Sequence, residues 1–156
     1  MPDVSLSPLR AGVVGAFASA EALDAVQAPA GVRACRVAPD EVALVCAPAD
    51  TAALLEAVAR DVERGDADGF ALDLSDGWTG WTLRGDVRRA FSYLSELHLP
   101  GPGGFAQGDV LRVPVRVLTA EDRVDLLVPS PWGTYLHDEL LDALRALDVR
   151  ETEASA

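Results

Sequence analysis

Pairs of β-rich runs alternate along this chain with stretches whose apolar residues recur at helical spacing. The β-rich runs lie at residues 32–37, 42–46, 70–75, 78–83, 113–117 and 124–128. Each pair is followed by a segment with apolar residues every three or four positions, as on one face of a helix. Strands that follow each other closely tend to pair antiparallel, and helices then cover the sheet. The sequence therefore predicts an α+β fold with the succession ββαββαββα.

The dipeptide Asp76-Gly77 is the most specific turn signal in the chain. It suits a two-residue type I′ turn, in which both central residues need positive φ, and so predicts a hairpin between residues 70–75 and 78–83. Because side chains alternate across a strand, the two tryptophans of this hairpin fall on different faces. Trp78 lies opposite the predicted core face, which carries Phe70, Leu72, Leu74, Trp81 and Leu83.

The length of 156 residues suits a single hydrophobic core. Residues 1–30 are rich in Ala, Ser, Pro and Gly without firm periodicity, so we expect an N-terminal arm with a short helix within residues 19–26. Residues 31–149 are predicted to form one α+β domain. Residues 150–156 are expected to be a loose tail, as chain ends usually are.

Charge limits the partners of the chain. Thirteen basic residues, all Arg, stand against 25 acidic ones, for a formal net charge of -12. Binding to nucleic acid or to anionic membranes relies on clustered cations, so neither is an expected partner. No apolar run is long enough to span a bilayer. Residues 11–20, with Arg10 ahead of them, imitate a signal peptide, but the single base is offset by Asp3 and the apolar run contains two glycines. We therefore expect a cytoplasmic protein.

Residue types that carry chemistry are scarce. The chain has no Lys, which excludes a P-loop lysine and a Schiff base to a pyridoxal cofactor. Neither His98 nor His137 has a neighbour at metal-ligand spacing. Cys35 and Cys46 are expected to be reduced, buried thiols, because they form no CxxC motif. No catalytic, cofactor-binding or metal-ligating residue is predicted.

Three aromatic residues are candidates for a partner interface: Trp78, Trp132 and Tyr135. Trp78 lies off the predicted core face, and the other two begin the last predicted helix. Aromatic residues outside a domain's own core are enriched in interface hot spots. The alternative is structural: a helix covers them from the second side, or Trp132 packs against the start of its own helix. Both interpretations remain open from the sequence.

Several segments together resemble the γ subunit of heterotetrameric sarcosine oxidase. Residues 37–45 (VAPDEVALV) are similar to a Pro-Asp-Glu element of that family, and residues 71–77 (ALDLSDG) to its following strand and turn. Residues 81–85 (WTLRG) resemble the family's entry into the middle helix. Residues 126–130 (LLVPS) and Tyr135-Leu136 resemble its closing strand and helix. The similarity runs in order from about residue 31 to residue 147.

This resemblance implies a fold like the N-terminal, folate-binding domain of the glycine-cleavage T-protein. It also implies membership of a flavin-dependent, folate-linked oxidoreductase complex that demethylates amines. In such a hetero-oligomer the α and β subunits are expected to hold FAD, FMN, NAD and tetrahydrofolate. The γ subunit is expected to be a small accessory chain that binds α and β and carries no catalytic residue of its own.

The resemblance leaves one alternative function, a stand-alone folate-binding module related to the aminomethyltransferases. Those enzymes carry a glycine-rich turn that leads to paired acids before their second hairpin. In this chain Asp109 alone precedes the run at residues 110–117, and the segment that would carry the acids is absent. The sequence therefore favours the accessory role.

Overall fold

A computed structural model of the chain describes residues 3–154, and within that range strands and helices alternate as ββαββαββαβββα. In chain order the elements are β1 (Val4–Pro8), β2 (Gly12–Phe17), α1 (Ala20–Asp24), β3 (Arg33–Ala38), β4 (Glu41–Cys46), α2 (Thr51–Gly65), β5 (Phe70–Asp73), β6 (Trp78–Gly85), α3 (Val87–Leu94), β7 (Phe105–Val110), β8 (Val113–Thr119), β9 (Arg123–Pro129) and α4 (Gly133–Ala154). The α+β class is confirmed. The shorter succession ββαββαββα is wrong, because it lacks β1, β2 and α1 at the N-terminus and β7 before β8.

The chain divides into two compact units, where one domain over residues 31–149 was expected. The first unit combines the described residues up to Leu9 with those from Thr79 onward and contains a five-stranded sheet in the order β1-β6-β9-β8-β7. Helices α3 and α4 supply apolar side chains to its core. The fully buried members of that core include Leu83, Phe91, Val110, Leu126, Leu136 and Leu140.

The second unit comprises residues 10–78 and contains a four-stranded sheet in the order β3-β4-β2-β5. Helix α2 turns Leu54, Val58 and Val62 toward this sheet, and all three are buried. Their spacing is the helical period that the sequence showed. Val14 and Leu44, which face each other on β2 and β4, complete the centre of the core.

The N-terminal arm expected over residues 1–30 is wrong. Residues 4–8 form β1, which pairs antiparallel with β6, and residues 12–17 form β2, which lies between β4 and β5. Strand β2 is buried on both faces, so its side chains show no alternation of polar and apolar residues. The short helix is present as α1, where the Ser19 side chain accepts a hydrogen bond from the Ala22 N–H.

The predicted hairpin around Asp76-Gly77 is also wrong. Strand β5 pairs with β2, whereas β6 pairs with β1, and the two strands belong to different sheets. Asp76 and Gly77 lie in a 3₁₀ turn over Ser75–Gly77. As a consequence Phe70 and Leu72, which were assigned to the core, are exposed. Leu83 is buried and Trp81 packs partly buried against the same core, as expected.

A two-residue hairpin connection occurs instead between β7 and β8. Val110 pairs with Val113, and the intervening Leu111 and Arg112 have φ values of 49° and 67°. Both central residues therefore adopt the positive φ that a type I′ turn requires, although neither is Gly, Asn or Asp. Pro114, which pairs with Asp109, lies next to this turn. At Pro114, β8 pairs with β7. The pairing of β8 with β9 extends only over residues 116–119 of β8.

The end of the chain is helical further than expected. Helix α4 continues to Ala154, so residues 150–154 belong to the helix and not to a loose tail, and residues 155 and 156 lie outside the described range. Leu136, Leu140 and Leu147 are its buried apolar residues, and Leu144 is half-buried. No helix of the described chain is both long and apolar enough to cross a membrane.

Candidate interaction surfaces

Trp132 and Tyr135 form an exposed aromatic pair at the start of α4, which we call the aromatic pair. Their ring centroids lie 6.0 Å apart with planes at 75°, an edge-to-face arrangement. Trp132 is 47% exposed and Tyr135 is 46% exposed. Neither residue therefore belongs to the core of its unit. The structural interpretation of Trp132, as a residue that packs against its own helix start, accounts for only part of its surface.

The backbone under the aromatic pair is fixed by residues of β6. The Trp81 Nε1–H donates a hydrogen bond to the Gly133 carbonyl over 3.3 Å, and the Trp81 ring lies 4.5 Å from the ring of His137. A Cβ on Gly133 would come within 2.4 Å of Thr79 Cγ2. Glycine thus allows the helix start to approach the strand closely. The aromatic pair projects from a rigidly supported helix end.

Trp78, the third candidate, is half-buried at the first position of β6. It belongs to the unit of residues 10–78, whereas the aromatic pair belongs to the other unit. Of the three candidates, the structure brings the rings of Trp132 and Tyr135 together. Trp78 also has an interaction within the chain.

A second exposed apolar surface, absent from the sequence prediction, lies on β5. Phe70 is 50% exposed and Leu72 is 47% exposed. Phe70 stacks on Phe17 of the neighbouring strand at a centroid distance of 5.1 Å. We call Phe17, Phe70 and Leu72 the β5 surface. No local sequence signal identifies it, because its exposure depends on the pairing of β5 with β2, more than fifty residues away.

The two histidines belong to one unit and the two cysteines to the other. His98 is exposed, and His137 Nδ1 lies 3.1 Å from Asp138 Oδ1 beside the Trp81 ring. Cys35 and Cys46 are buried, free thiols. Cys35 faces Ala43 on β4, an odd number of residues from Cys46, so the two thiols lie on opposite faces of the sheet. Residues 3–148, whose side chains are described, include no group of three His, Cys, Asp or Glu that could hold a metal ion.

The carboxylate of Asp125 on β9 is fully buried. Its Oδ1 accepts a hydrogen bond from the Thr82 hydroxyl over 2.7 Å, and its Oδ2 accepts one from Arg123 Nε over 3.2 Å. Buried charges are tolerated in proteins when they are paired and hydrogen-bonded in this way. The role of the Asp125 carboxylate is therefore structural: it links β6 to β9 within the first unit.

A cleft of about 410 Å³ runs beside the end of α3 and is lined by Arg88, Phe91, Ser92, Ser95 and residues 96–99. Arg88 uses its guanidinium to hold the carbonyls of Leu99 and Pro100. Ser95 donates to the Asp109 carbonyl over 2.6 Å. Arg88 and Ser95 thus support the chain after α3, and the ionisable side chains that line this cleft are Arg88, Glu96 and His98.

Two carboxylates flank β5 and terminate it. The Ser75 hydroxyl and the Ser75 backbone N–H both donate to Asp73 Oδ1, and they hold the pKa of this carboxyl below its ordinary value. At the other end, backbone N–H donation from Ser19 and then from Asp68 lowers the pKa of Asp66 in the same way. Hydrogen bonds to the ionised form produce such shifts. Both ends of β5 thus carry carboxylates that are stabilised as anions.

The lowered pKa of Asp73 predicts a pH dependence of stability. Its folded-state pKa lies below the unfolded value, so its contribution is complete above the unfolded pKa and is lost as pH falls through the folded pKa. In urea unfolding at a series of pH values below about 4, Ser75→Ala is expected to lose stability less steeply than the original chain. Parallel curves for the two proteins would contradict this assignment.

Comparisons with known proteins place the fold. No protein-family model and no curated protein sequence matches the chain. A chain of the heterotetrameric sarcosine oxidase from Corynebacterium sp. U-96, solved in complex with pyrrole 2-carboxylate, is similar with a TM-score of 0.75 and 20% identity, over 92% of this chain and 84% of that chain. The regulatory subunit of aspartate kinase from Thermus thermophilus is similar with a TM-score of 0.51 and 14% identity, over 90% of this chain and 96% of that chain. The resemblance to sarcosine oxidase is confirmed at the level of the fold.

Proposed function

We propose that this chain is a small accessory subunit of a sarcosine oxidase-like complex. The observation that carries the proposal is the similarity in fold, over 92% of this chain, to a chain of a heterotetrameric sarcosine oxidase. The sequence resemblance to the γ subunit also supports the proposal, because the similar segments occur in the same order along residues 31–147. The proposed fold class within α+β is that of the T-protein folate-binding domain.

In this proposal the chemistry belongs to larger α and β subunits. These would hold FAD, FMN, NAD and tetrahydrofolate and would carry out a flavin-dependent, folate-linked demethylation of an amine in the cytoplasm. The role of this chain is to bind and support them. The exposed aromatic pair suits that role, since Trp and Tyr residues at protein surfaces are frequent anchors of interfaces.

Co-expression tests the proposal. The chain is to be produced together with the products of the genes adjacent to its own, purified through a tag on this chain, and analysed by size-exclusion chromatography. We expect one stable hetero-oligomer with bound flavin and amine-demethylating activity. A chain that elutes free of every neighbouring gene product would overturn the proposal.

Titration of the isolated chain with tetrahydrofolate separates the accessory role from the alternative of a stand-alone folate-binding module. The accessory role predicts no saturable binding by isothermal calorimetry, because the folate site lies in another subunit. Saturable binding to the isolated chain, with transfer of an aminomethyl group, would favour the alternative.

A further inference from the structure

Strand β5 ends its sheet. It is the outermost strand of the order β3-β4-β2-β5, so no other strand of the described chain pairs with its outer edge. The Leu74 N–H donates to the Val13 carbonyl over 2.8 Å, which sets the alternation of hydrogen bonds along the β2–β5 ladder. By that alternation Phe70 and Leu72 bond toward β2, whereas Ala71 and Asp73 direct their N–H and C=O groups outward.

The side chains beside this edge are apolar and accessible. Phe70 and Leu72 lie on one face of β5, half-exposed, and Phe17 extends the same face on β2. Exposed apolar edge strands are templates for pairing with another chain, and proteins commonly block them with Lys, Pro or a bulge. Residues 70–73 (FALD) contain neither Lys nor Pro, and the register with β2 is regular. The strand is four residues long, and its one charged residue is Asp73.

Charge around β5 selects among the possible occupants. Asp66 and Asp68 precede the strand, Asp73 and Asp76 end or follow it, and no basic residue occurs between Arg64 and Arg84. A second copy of the chain, pairing edge to edge, would place carboxylates against carboxylates on a protein of net charge -12. An extended segment with basic residues at its ends would instead complement both ends of β5.

We propose that the outer edge of β5 binds an extended, basic segment of a partner polypeptide by strand addition. Ala71 and Asp73 supply the backbone hydrogen bonds, and the β5 surface accepts alternate apolar side chains of the partner. In this mode the main chain provides affinity and the side-chain positions provide selectivity. The inference goes beyond the proposed function, since it requires no particular complex and is tested on the isolated chain.

The probe is a fluorescein-labelled peptide of sequence RRVTVTVR, with its binding measured by fluorescence anisotropy at low salt. We expect saturable binding that weakens as salt is raised, because the ends of the peptide are held by exposed charges. Two matched peptides serve as controls, one with two adjacent central residues, a valine and a threonine, N-methylated, so that an N–H facing β5 is lost in either strand orientation, and one, EEVTVTVE, with the charges reversed. Each is expected to bind at least about tenfold more weakly, a difference of 1.4 kcal/mol.

Variants of the chain locate the site. Ala71→Pro removes an outward N–H while leaving the bonds toward β2, as proline is tolerated on an edge, and should weaken peptide binding at least about tenfold. Tyr93→Ser changes an exposed aromatic residue of the other unit and should leave peptide binding unchanged. Circular dichroism verifies that both variants are folded.

Three results would overturn the inference. They are absence of saturable binding by the folded original chain, equal binding of the N-methylated peptide, and equal binding by Ala71→Pro. Self-association of the original chain in sedimentation equilibrium, abolished by Ala71→Pro, would identify a second copy as the occupant and would overturn the basic partner.

Discussion

Replacing Trp132 by alanine is expected to weaken assembly with the proposed partner subunits by a factor of about 30 or more, or about 2 kcal/mol. Trp132 offers a large apolar surface of which 47% is accessible, and it meets Tyr135 edge to face. The helix end beneath it is held by the Trp81 hydrogen bond to Gly133. A rigidly presented tryptophan loses little conformational freedom on binding, so most of its buried area contributes to affinity.

The measurement is the dissociation constant between this chain and its co-purified partners, by biolayer interferometry. Tyr93→Ala is the matched control, because Tyr93 is an aromatic residue of the same unit and is 58% exposed. Tyr93→Ala should change the dissociation constant of the original chain by less than about twofold. The free energy of unfolding of Trp132→Ala should change by less than about 1 kcal/mol, as for most surface substitutions. Unchanged affinity of a folded Trp132→Ala chain would remove the aromatic pair from the interface.

Replacing Phe91 by alanine is expected to lower the free energy of unfolding of its unit by about 3–5 kcal/mol. Phe91 is 1% exposed on α3, among the largest side chains of the core that β6, β8, β9 and α4 share. Alanine removes most of the ring and leaves a cavity that close-packed neighbours fill only in part. A loss of this size is a large part of the stability of a typical domain.

Urea unfolding followed by circular dichroism measures this loss, with Tyr93→Ala two residues further along the same helix as the control. Its exposed side chain predicts a change within about 0.5 kcal/mol. Because the chain has two compact units, the transition of the unit that contains α3 is to be followed separately, with Trp81 and Trp132 fluorescence in a Trp78→Phe background. Equal losses for the two variants would show that Phe91 does not hold this core together.

Local patterns along the sequence predicted the helices well. Apolar residues at helical spacing are buried on α2 (Leu54, Val58 and Val62) and on α3 (Val87, Ala90, Phe91 and Leu94). The hairpin of β3 and β4 also forms, with a short connection. In each case the interacting residues lie close together in sequence, so their spacing carries the information.

The residue types at the turns predicted the connections between strands less well than the pairing of the strands explains them. Asp76-Gly77 matches a type I′ turn yet lies in a 3₁₀ turn between two sheets, while Leu111-Arg112 adopts that turn without its usual residues. The competing strand pairs explain both outcomes. Strand β5 pairs with β2 and β6 with β1, whereas β7 and β8 align six residue pairs across Leu111-Arg112. Long-range pairing overrode local preference in both places.

The sequence by itself determined the α+β class, the helical core faces, the family resemblance and the candidates Trp132 and Tyr135. Only the tertiary structure decided that residues 4–8 and 12–17 belong to sheets, that β5 and β6 separate, and that Phe70 and Leu72 are exposed. The physical reason is that a helix buries a face defined by residues three and four apart. A strand's face and edge, by contrast, are defined by partners that are distant in sequence.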